Sequence, residues 1–269
     1  MLEADSTGPV APDRAPAEVR PSWWMQIALV AAVWWLYDKI NNLSPLRATS
    51  ALAHGSAILR IETWLHVDAE RGLNGWLAAH SLAGRWLGDF YNLAHFVVTI
   101  AVLVWVWARH PRRYRSLRNA LLGINAIGFL VYWAFPVAPP RMLEGFGFVD
   151  IIAVTHSIGA WSTGAFASQA NEYAAMPSLH MAWALWCTLA VWSIRTDRPS
   201  RAVAVGYSAV VAVVVMATAN HYLLDVVAGA ATTVVAGAGV FLGAGRLSVL
   251  LPWRRRDAGV PGAAGQAPT

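Results

Sequence analysis

Six long apolar runs constrain this chain more than any other feature of its sequence. Each run is close to the roughly 20 residues that an α-helix needs to cross the hydrocarbon core of a bilayer. Hydrophobic residues make up 57% of the 269-residue chain and charged residues only 13%, whereas soluble domains carry about 25% charged residues. The sequence therefore predicts an all-α, polytopic membrane protein with six transmembrane helices.

The segments around these runs define the predicted domain organisation. One membrane domain covers residues 23–245, and the tails 1–22 and 246–269 are predicted to be disordered and cytoplasmic. Between the first two spans, Leu46–Leu65 mixes apolar with charged residues and is predicted to be an interfacial helix. The six predicted spans are Trp23–Ile40, Trp86–Ala108, Ala120–Val137, Leu179–Ile194, Ala202–Ala219 and Val226–Gly245.

The distribution of arginine predicts the orientation of these spans. The loops after the second and fourth spans and the C-terminal tail are rich in arginine, while residues 136–178 hold only Arg141 and residues 220–225 hold none. Because arginine-rich loops stay in the cytoplasm, we expect a multi-pass cell-membrane protein with both termini cytoplasmic. The loops before the fourth and sixth spans then share the extracytoplasmic face.

Three polar segments meet on that predicted outer face. They are FPVAPPR at the end of the third span, AAMPSLH at the start of the fourth, and NHYLLD between the fifth and sixth. Their side chains are those expected of a site that binds and transfers phosphate. The candidate residues are Arg141, Ser178, His180, His221 and Asp225.

The spacing of His221 and Asp225 predicts that they share one face of a helix. A carboxylate bonded to one imidazole nitrogen fixes the tautomer and leaves the other nitrogen free to attack phosphorus. The spacing is weak evidence when taken alone. A histidine–aspartate hydrogen bond that only ties two helix ends together is the structural alternative.

The other candidates each have a chemical and a structural interpretation. Ser178 follows Pro177 as a helix-start signal, and a helix N-terminus also binds phosphate oxygens. Arg141 offers the fork of donors that suits phosphate, or is an arginine that snorkels to the interface. His180 can protonate a departing alkoxide. A zinc site made of His180, His221 and Asp225 is a further alternative, but it leaves Ser178 and Arg141 without a role.

In this order the three motifs resemble the type 2 phosphatidic acid phosphatase superfamily over roughly residues 23–245. Within it, FPVAPPR, AAMPSLHMAWAL and NHYLLDVVAG are similar to the inositol phosphorylceramide synthase-like, or inositolphosphotransferase, branch. The resemblance implies a six-span core and a reaction that proceeds through a phosphohistidine and needs no metal or other cofactor. It also implies the roles argued above: His221 as nucleophile oriented by Asp225, His180 as acid, and Arg141 with Ser178 on the phosphate.

Two phosphate-binding cations of the superfamily pattern are absent, because their positions hold Ala134 and Val215. This loss resembles the transferase branch more than the hydrolases. Lys39, at the outer end of the first span, is a candidate to replace them. Further candidates for substrate contacts are His95, Asn171 and Tyr222; for His95, a satisfied core histidine is the alternative.

The sequence thus predicts a membrane phosphotransferase that acts on a lipid phosphate or phosphodiester at the extracytoplasmic face. The resemblance implies phosphatidylinositol as the donor. One alternative is a lipid phosphate phosphatase, in which water resolves the phosphohistidine. Another is a non-catalytic lipid-binding or transport protein. The predicted partners are membrane lipids as substrates, with no nucleic acid.

Overall fold

The computed structural model describes residues 21–41, 47–158 and 172–250 of the chain. Over these residues the regular structure is helical, apart from a 3₁₀ turn at Pro140–Met142 and an isolated bridge between Val137 and Ala174. The described helices are α1 Trp23–Asn41, α2 Ala48–Leu65, α3 Ala69–Ala78, α4 Ser81–Arg109, α5 Pro111–Ala134, α6 Ile151–Thr155, α7 Leu179–Ile194, α8 Arg198–Ala217 and α9 Leu223–Leu250.

Four of the six predicted spans are confirmed as helices long and apolar enough to cross a membrane. They are α4, α5, α8 and, within α9, Leu223–Val240. The other two predicted spans, α1 and α7, are also helical, but their apolar stretches in the described residues are shorter, at Trp23–Val33 and Leu179–Ile194. The predictions for residues 1–20, for 251–269, for Leu46 and for Asn171 lie outside the described residues.

The third predicted span differs most from its helix. Instead of Ala120–Val137, α5 runs from Pro111 to Ala134. Pro111 occupies the first turn, where its missing N–H costs nothing, so the arginine-rich segment joins the helix as a polar extension. The helix ends ahead of Pro136, because proline disfavours the helical conformation in the residue before it. Val137 consequently belongs to the loop that carries Arg141.

The central helix of the bundle is α7, which packs against α4, α5, α8 and α9. Its buried positions include Ala182, Ala184 and Ala190, whose small side chains allow close approach of the neighbouring helices. Trp186 is 1% exposed, and its indole N–H donates to the Leu117 carbonyl of α5 at 2.8 Å. The start of α7 lies next to the start of α9, where Ser178 N–H donates to the Asp225 carbonyl oxygen at 3.0 Å.

Two further helices, α2 and α3, pack at the end of the bundle that carries the three polar segments. The sequence predicted a helix where α2 lies but none at α3, which has only 10 residues and includes Gly72 and Gly75. In α3 the Asn74 amide donates to the carbonyls of Val149 and Ala217, at 2.9 and 3.0 Å, and accepts from Val149 N–H. The end of α8 is thereby tied to the segment that follows the Arg141 turn.

Candidate active site

Backbone hydrogen bonds join the three polar segments that the sequence singled out. The segment after α5 pairs with the segment before α7 and also with the end of α8, and the first residue before α7 bonds into α9. The bonds run from Val137 N–H to Tyr173 O (2.8 Å), from Arg141 N–H to Ala219 O (3.0 Å) and from Ser178 N–H to Asp225 O (3.0 Å).

His221 is held by two acceptors. Its Nδ1 lies 2.8 Å from the Ala175 carbonyl oxygen and 3.4 Å from Asp225 Oδ2. Because a carbonyl oxygen can only accept, Nδ1 carries the proton and Nε2 carries the free lone pair. The ring is 3% exposed and lies in the wall of a large cavity. This is the tautomer that a nitrogen nucleophile requires. The shorter of the two contacts comes from the Ala175 backbone carbonyl, which no side chain in the sequence could have indicated.

The contact between His221 and Asp225 does not arise from a shared helix face, so that part of the prediction is wrong. α9 begins at Leu223, and His221 precedes it in a segment without regular secondary structure. Asp225 lies in the first turn of α9, and its Oδ2 also accepts from Tyr222 N–H at 2.9 Å. A carboxylate in this position caps N–H groups that lack an intrahelical partner. Its other oxygen, Oδ1, is buried with no hydrogen-bond partner among the described residues.

His180, the second residue of α7, lies beside His221, with ring centroids 5.6 Å apart. Its ring stacks on Tyr91 at 4.3 Å and meets the edge of His95 at 4.1 Å. His95 Nδ1 lies 3.0 Å from the Tyr91 carbonyl oxygen. His180 Nε2 is covered and has no hydrogen-bond partner within the described part of the chain. Both predicted histidines of α4 and α7 therefore line the cavity next to His221.

Arg141 enters the same cavity from the 3₁₀ turn after α5. Its Nη1 donates to Asn220 Oδ1 at 2.6 Å, and its Nε lies 3.3 Å from Asp150 Oδ2. The side chain keeps 21% of its surface exposed, so it is not fully enclosed by these partners. Asn220 and Asp150 were not predicted as site residues, although Asn220 is next to His221 in the quoted motif.

Ser178 is the N-cap of α7, and its Oγ accepts from Met181 N–H at 3.3 Å. It is 0% exposed and is not among the residues that line the cavity. The start of α7 lies directly against α9, because a Cβ at Gly229 would overlap the Ser178 carbonyl oxygen. The helix-cap interpretation of Ser178 is therefore confirmed, whereas its predicted role on the phosphate stays a prediction.

Two of the predicted substrate contacts are not brought to the cavity. Tyr222 is 0% exposed, packs with Ile58 and Leu59 of α2, and donates its hydroxyl to the Ala138 carbonyl at 2.9 Å. Lys39 lies on α1 with its ammonium 5.7 Å from the ring centroid of Trp35. Tyr222 therefore connects the loops on the side away from the cavity, and Lys39 is not among the described residues that line the cavity.

The cavity has a volume of about 550 Å³ and lies between α1, α4, α5 and α7. Its lining along α5 reaches from Tyr132 to Tyr114. From Tyr114 to Tyr132 the chain rises by 18 residue steps, roughly 27 Å of helix, close to the ~30 Å thickness of a hydrocarbon core. Arg141 and His221 lie at one end, Gln26 and Arg118 at the other. Between these polar ends the wall is mostly apolar.

The side chains in the described ranges form no group of three or more His, Cys, Asp or Glu that could hold a metal ion. His221 Nδ1 and Asp225 Oδ2 contact each other, and each also contacts a backbone group. The zinc alternative is therefore not formed by the described residues.

A sequence model of the PAP2 superfamily matches residues 56–239, which is more than half of the chain. The chain belongs to this superfamily, whose members are in general phosphatases and phosphotransferases, and membership suggests action on lipid phosphates. No curated protein matches the chain. No solved structure matches it either.

Proposed function

We propose that this protein is a membrane phosphotransferase that moves a phosphoryl headgroup from a phospholipid to an acceptor hydroxyl through a phosphohistidine at His221. The observation that carries the proposal is the position of His221 in the cavity wall. Its Nδ1 proton is fixed on the Ala175 carbonyl, its Nε2 lone pair is free, and Arg141 and His180 lie in the same wall. These are the nucleophile, the anion-binding donor and the acid that phosphoryl transfer needs.

The reaction divides into two balanced steps. In the first, His221 Nε2 bonds to phosphorus, the bond between phosphorus and the leaving oxygen breaks, and His180 gives its proton to that oxygen. In the second, the acceptor hydroxyl attacks phosphorus, the P–N bond breaks, and the acceptor's proton passes to His180. Asp225 and the Ala175 carbonyl keep the His221 ring oriented while it carries the phosphoryl group, and Arg141 supplies charge to the phosphate oxygens.

The shape of the cavity supports a substrate with a long apolar chain. A phosphate held between Arg141 and His221 would leave the rest of the cavity, roughly 27 Å along α5, for hydrocarbon. Apolar clefts with a few convergent polar groups at one end are typical of sites that bind amphiphilic ligands. Small, water-soluble phosphate esters would leave most of this wall uncovered.

Transfer to a hydroxyl rather than to water is supported by the residues at two positions of the superfamily pattern. Val215 is 1% exposed and packs in an apolar cluster with Met181 and Val211, and Ala134 is exposed at the end of α5. Neither position can supply a second cation to the phosphate. This departure, together with the resemblance of the three motifs to the inositolphosphotransferase branch, favours phosphatidylinositol as the donor. A phosphatase that uses water is the second candidate, because superfamily membership supports both outcomes.

The arginine-rich loops support the orientation part of the proposal. Arg112, Arg113 and Arg115 lie in the first turns of α5, at the end opposite Arg141. The positive-inside rule then places the His221 end of the cavity on the extracytoplasmic face, with both termini in the cytoplasm.

The purified protein in lipid vesicles, incubated with headgroup-labelled phosphatidylinositol, tests this proposal. We expect a new labelled lipid when a lipid or sugar acceptor is present, with equal yield when a chelator removes free divalent cations. Labelled inositol phosphate as the sole product, with or without acceptors, would identify a phosphatase. No turnover of any lipid phosphate would contradict both and favour a non-catalytic lipid-binding protein.

A further inference from the structure

Two glutamates lie behind the segment that carries His221 and Asp225, on the side away from the cavity. Glu62 in α2 and Glu70 in α3 are both 0% exposed. Glu62 Oε1 accepts from Leu224 N–H at 2.6 Å. Leu224 precedes Asp225 in the first turn of α9, where N–H groups lack an intrahelical acceptor. Glu62 therefore fixes the start of the helix that carries Asp225.

The remaining oxygens of the two carboxyls lack donors. Glu62 Oε2 and both oxygens of Glu70 are buried without a hydrogen-bond partner in the described part of the chain. Two ionised carboxylates in contact and away from water repel each other and lose hydration, whereas one proton held between them removes the repulsion and supplies the missing donor. Burial and the facing carboxyl raise the pKa of Glu62 to about 8, and burial raises the pKa of Glu70.

The ionisable groups that face the pair favour retention of this proton. Asp225 on α9 and Asp68 ahead of α3 are acidic, and Tyr222 is a phenol. None of them supplies the positive charge that a second carboxylate would need. Because Glu62 Oε1 is occupied by Leu224 N–H, the proton belongs on Oε2, from which it donates to Glu70.

We propose that Glu62 and Glu70 are a proton-sharing carboxyl pair that positions His221 and Asp225 for the reaction. The inference rests on the proposed function for its activity readout, but not for its structural one. Glu62 acts through the Leu224 N–H on the first turn of α9, and Asp225 in that turn contacts His221. Neither glutamate lines the cavity, so both are positioning residues rather than groups that touch substrate.

The pair predicts a pH dependence with a defined sign. The pKa of Glu62 in the folded protein, about 8, is above its ordinary value of 4.5. The stabilisation that the shared proton provides is therefore complete below about pH 4.5 and is lost as the pH rises through about 8. Above that value two carboxylates face each other beside Asp225, and we expect the α9 start to shift and activity to fall on the basic side.

Glu62→Gln tests the inference, because glutamine keeps an oxygen for Leu224 N–H and a permanent donor for Glu70. We expect this variant to keep at least about half of the wild-type kcat at pH 6.5 and to be about tenfold more active than wild type at pH 9, because deprotonation of His180 lowers the activity of both proteins but only wild type also loses the shared proton. Glu62→Ala should lower kcat by about 30-fold or more at each pH, with KM changed less than threefold. Glu144→Gln, which changes an exposed carboxyl, is the matched control and should follow wild type.

If kcat falls at high pH equally in Glu62→Gln and wild type, the shared proton is contradicted. If Glu62→Ala keeps the wild-type kcat, the positioning role is contradicted. Thermal unfolding against pH provides a second readout that needs no substrate. Wild type should lose thermal stability between pH 7 and 9, whereas Glu62→Gln should not. If no lipid phosphate is turned over but this difference remains, the proposed function fails and the carboxyl pair stands. An equal loss of thermal stability with pH in the two proteins would contradict the proposed carboxyl pair.

Discussion

The two sides of the HYLLD segment differ in chemistry and in exposure. On the cavity side, His221, His180 and Arg141 line a space of about 550 Å³. On the opposite side, Glu62, Tyr222 and Asp225 are each 0% exposed. Glu62 accepts from Leu224 N–H, Asp225 accepts from Tyr222 N–H, and the Tyr222 hydroxyl donates to the Ala138 carbonyl. Side chains on the cavity side can contact a ligand, whereas the buried side chains on the opposite side hold the ligand-contacting residues in position.

This difference shows that Asp225 helps to hold the site in place as well as contacting the proposed nucleophile, His221. Its Oδ2 contacts both His221 Nδ1 and Tyr222 N–H, and the Ala175 carbonyl makes the shorter contact to the imidazole. A change on the cavity side should therefore remove the reaction. A change on the supporting side should weaken it.

The largest effect is expected from His221→Ala. Removing the nucleophile should lower kcat for lipid phosphate turnover by at least about 10³-fold, because a covalent route loses its attacking atom. Turnover by the purified variant in vesicles measures this loss. His66→Asn is the matched control, since His66 is exposed and has the positive φ of 58° that asparagine tolerates.

Asp225→Asn compares the supporting side directly with the nucleophile. We expect kcat to fall by about 10²-fold, less than for His221→Ala, because the Ala175 carbonyl still holds the Nδ1 proton and preserves the tautomer. The two variants should be assayed side by side on one lipid phosphate. A loss as large as that of His221→Ala would show that the carboxylate, not the carbonyl, sets the tautomer.

The close approach of α7 and α9 should be sensitive to a single added methyl group. Gly229→Ala places a Cβ against the Ser178 carbonyl oxygen, and we expect about 1–3 kcal/mol lower unfolding free energy. Chemical unfolding in detergent measures the change. Gly237→Ala, on the same helix with nothing within 4 Å of its added Cβ, should instead raise stability by about 0.5–1 kcal/mol. Equal effects of the two changes would contradict the packing described here.

The smallest effect is expected from filling the apolar part of the cavity. Val33→Trp on α1 should lower kcat/KM for long-chain lipid phosphates by about tenfold while leaving short-chain analogues within about twofold, because bulk in the wall excludes hydrocarbon. Ile27→Trp on the exposed face of the same helix is the control. If both chain lengths lose activity equally, the cavity does not hold the chain.

Much of this arrangement could be predicted from the sequence, and the missing parts share a physical cause. Hydrophobic runs located the four helices that are long and apolar enough to cross a membrane, and the motifs located His221, His180 and Arg141, because side-chain identity carries both signals. The Ala175 carbonyl could not be found in this way, since every residue has one. Glu70 was missed because α3 is short and polar, so only the packed structure brings its carboxyl to Glu62. The predicted helix-face pairing failed because α9 begins two residues after His221.

Trapping phosphate on the protein tests the central claim most directly. The wild-type enzyme is quenched in alkali during turnover of a phosphate-labelled lipid, and the label is mapped to a peptide. We predict acid-labile, alkali-stable label on His221, absent from His221→Ala and retained in the His66→Asn control. Turnover that proceeds with no label on the protein, or with label on a different residue, would contradict the assignment of His221 as the nucleophile.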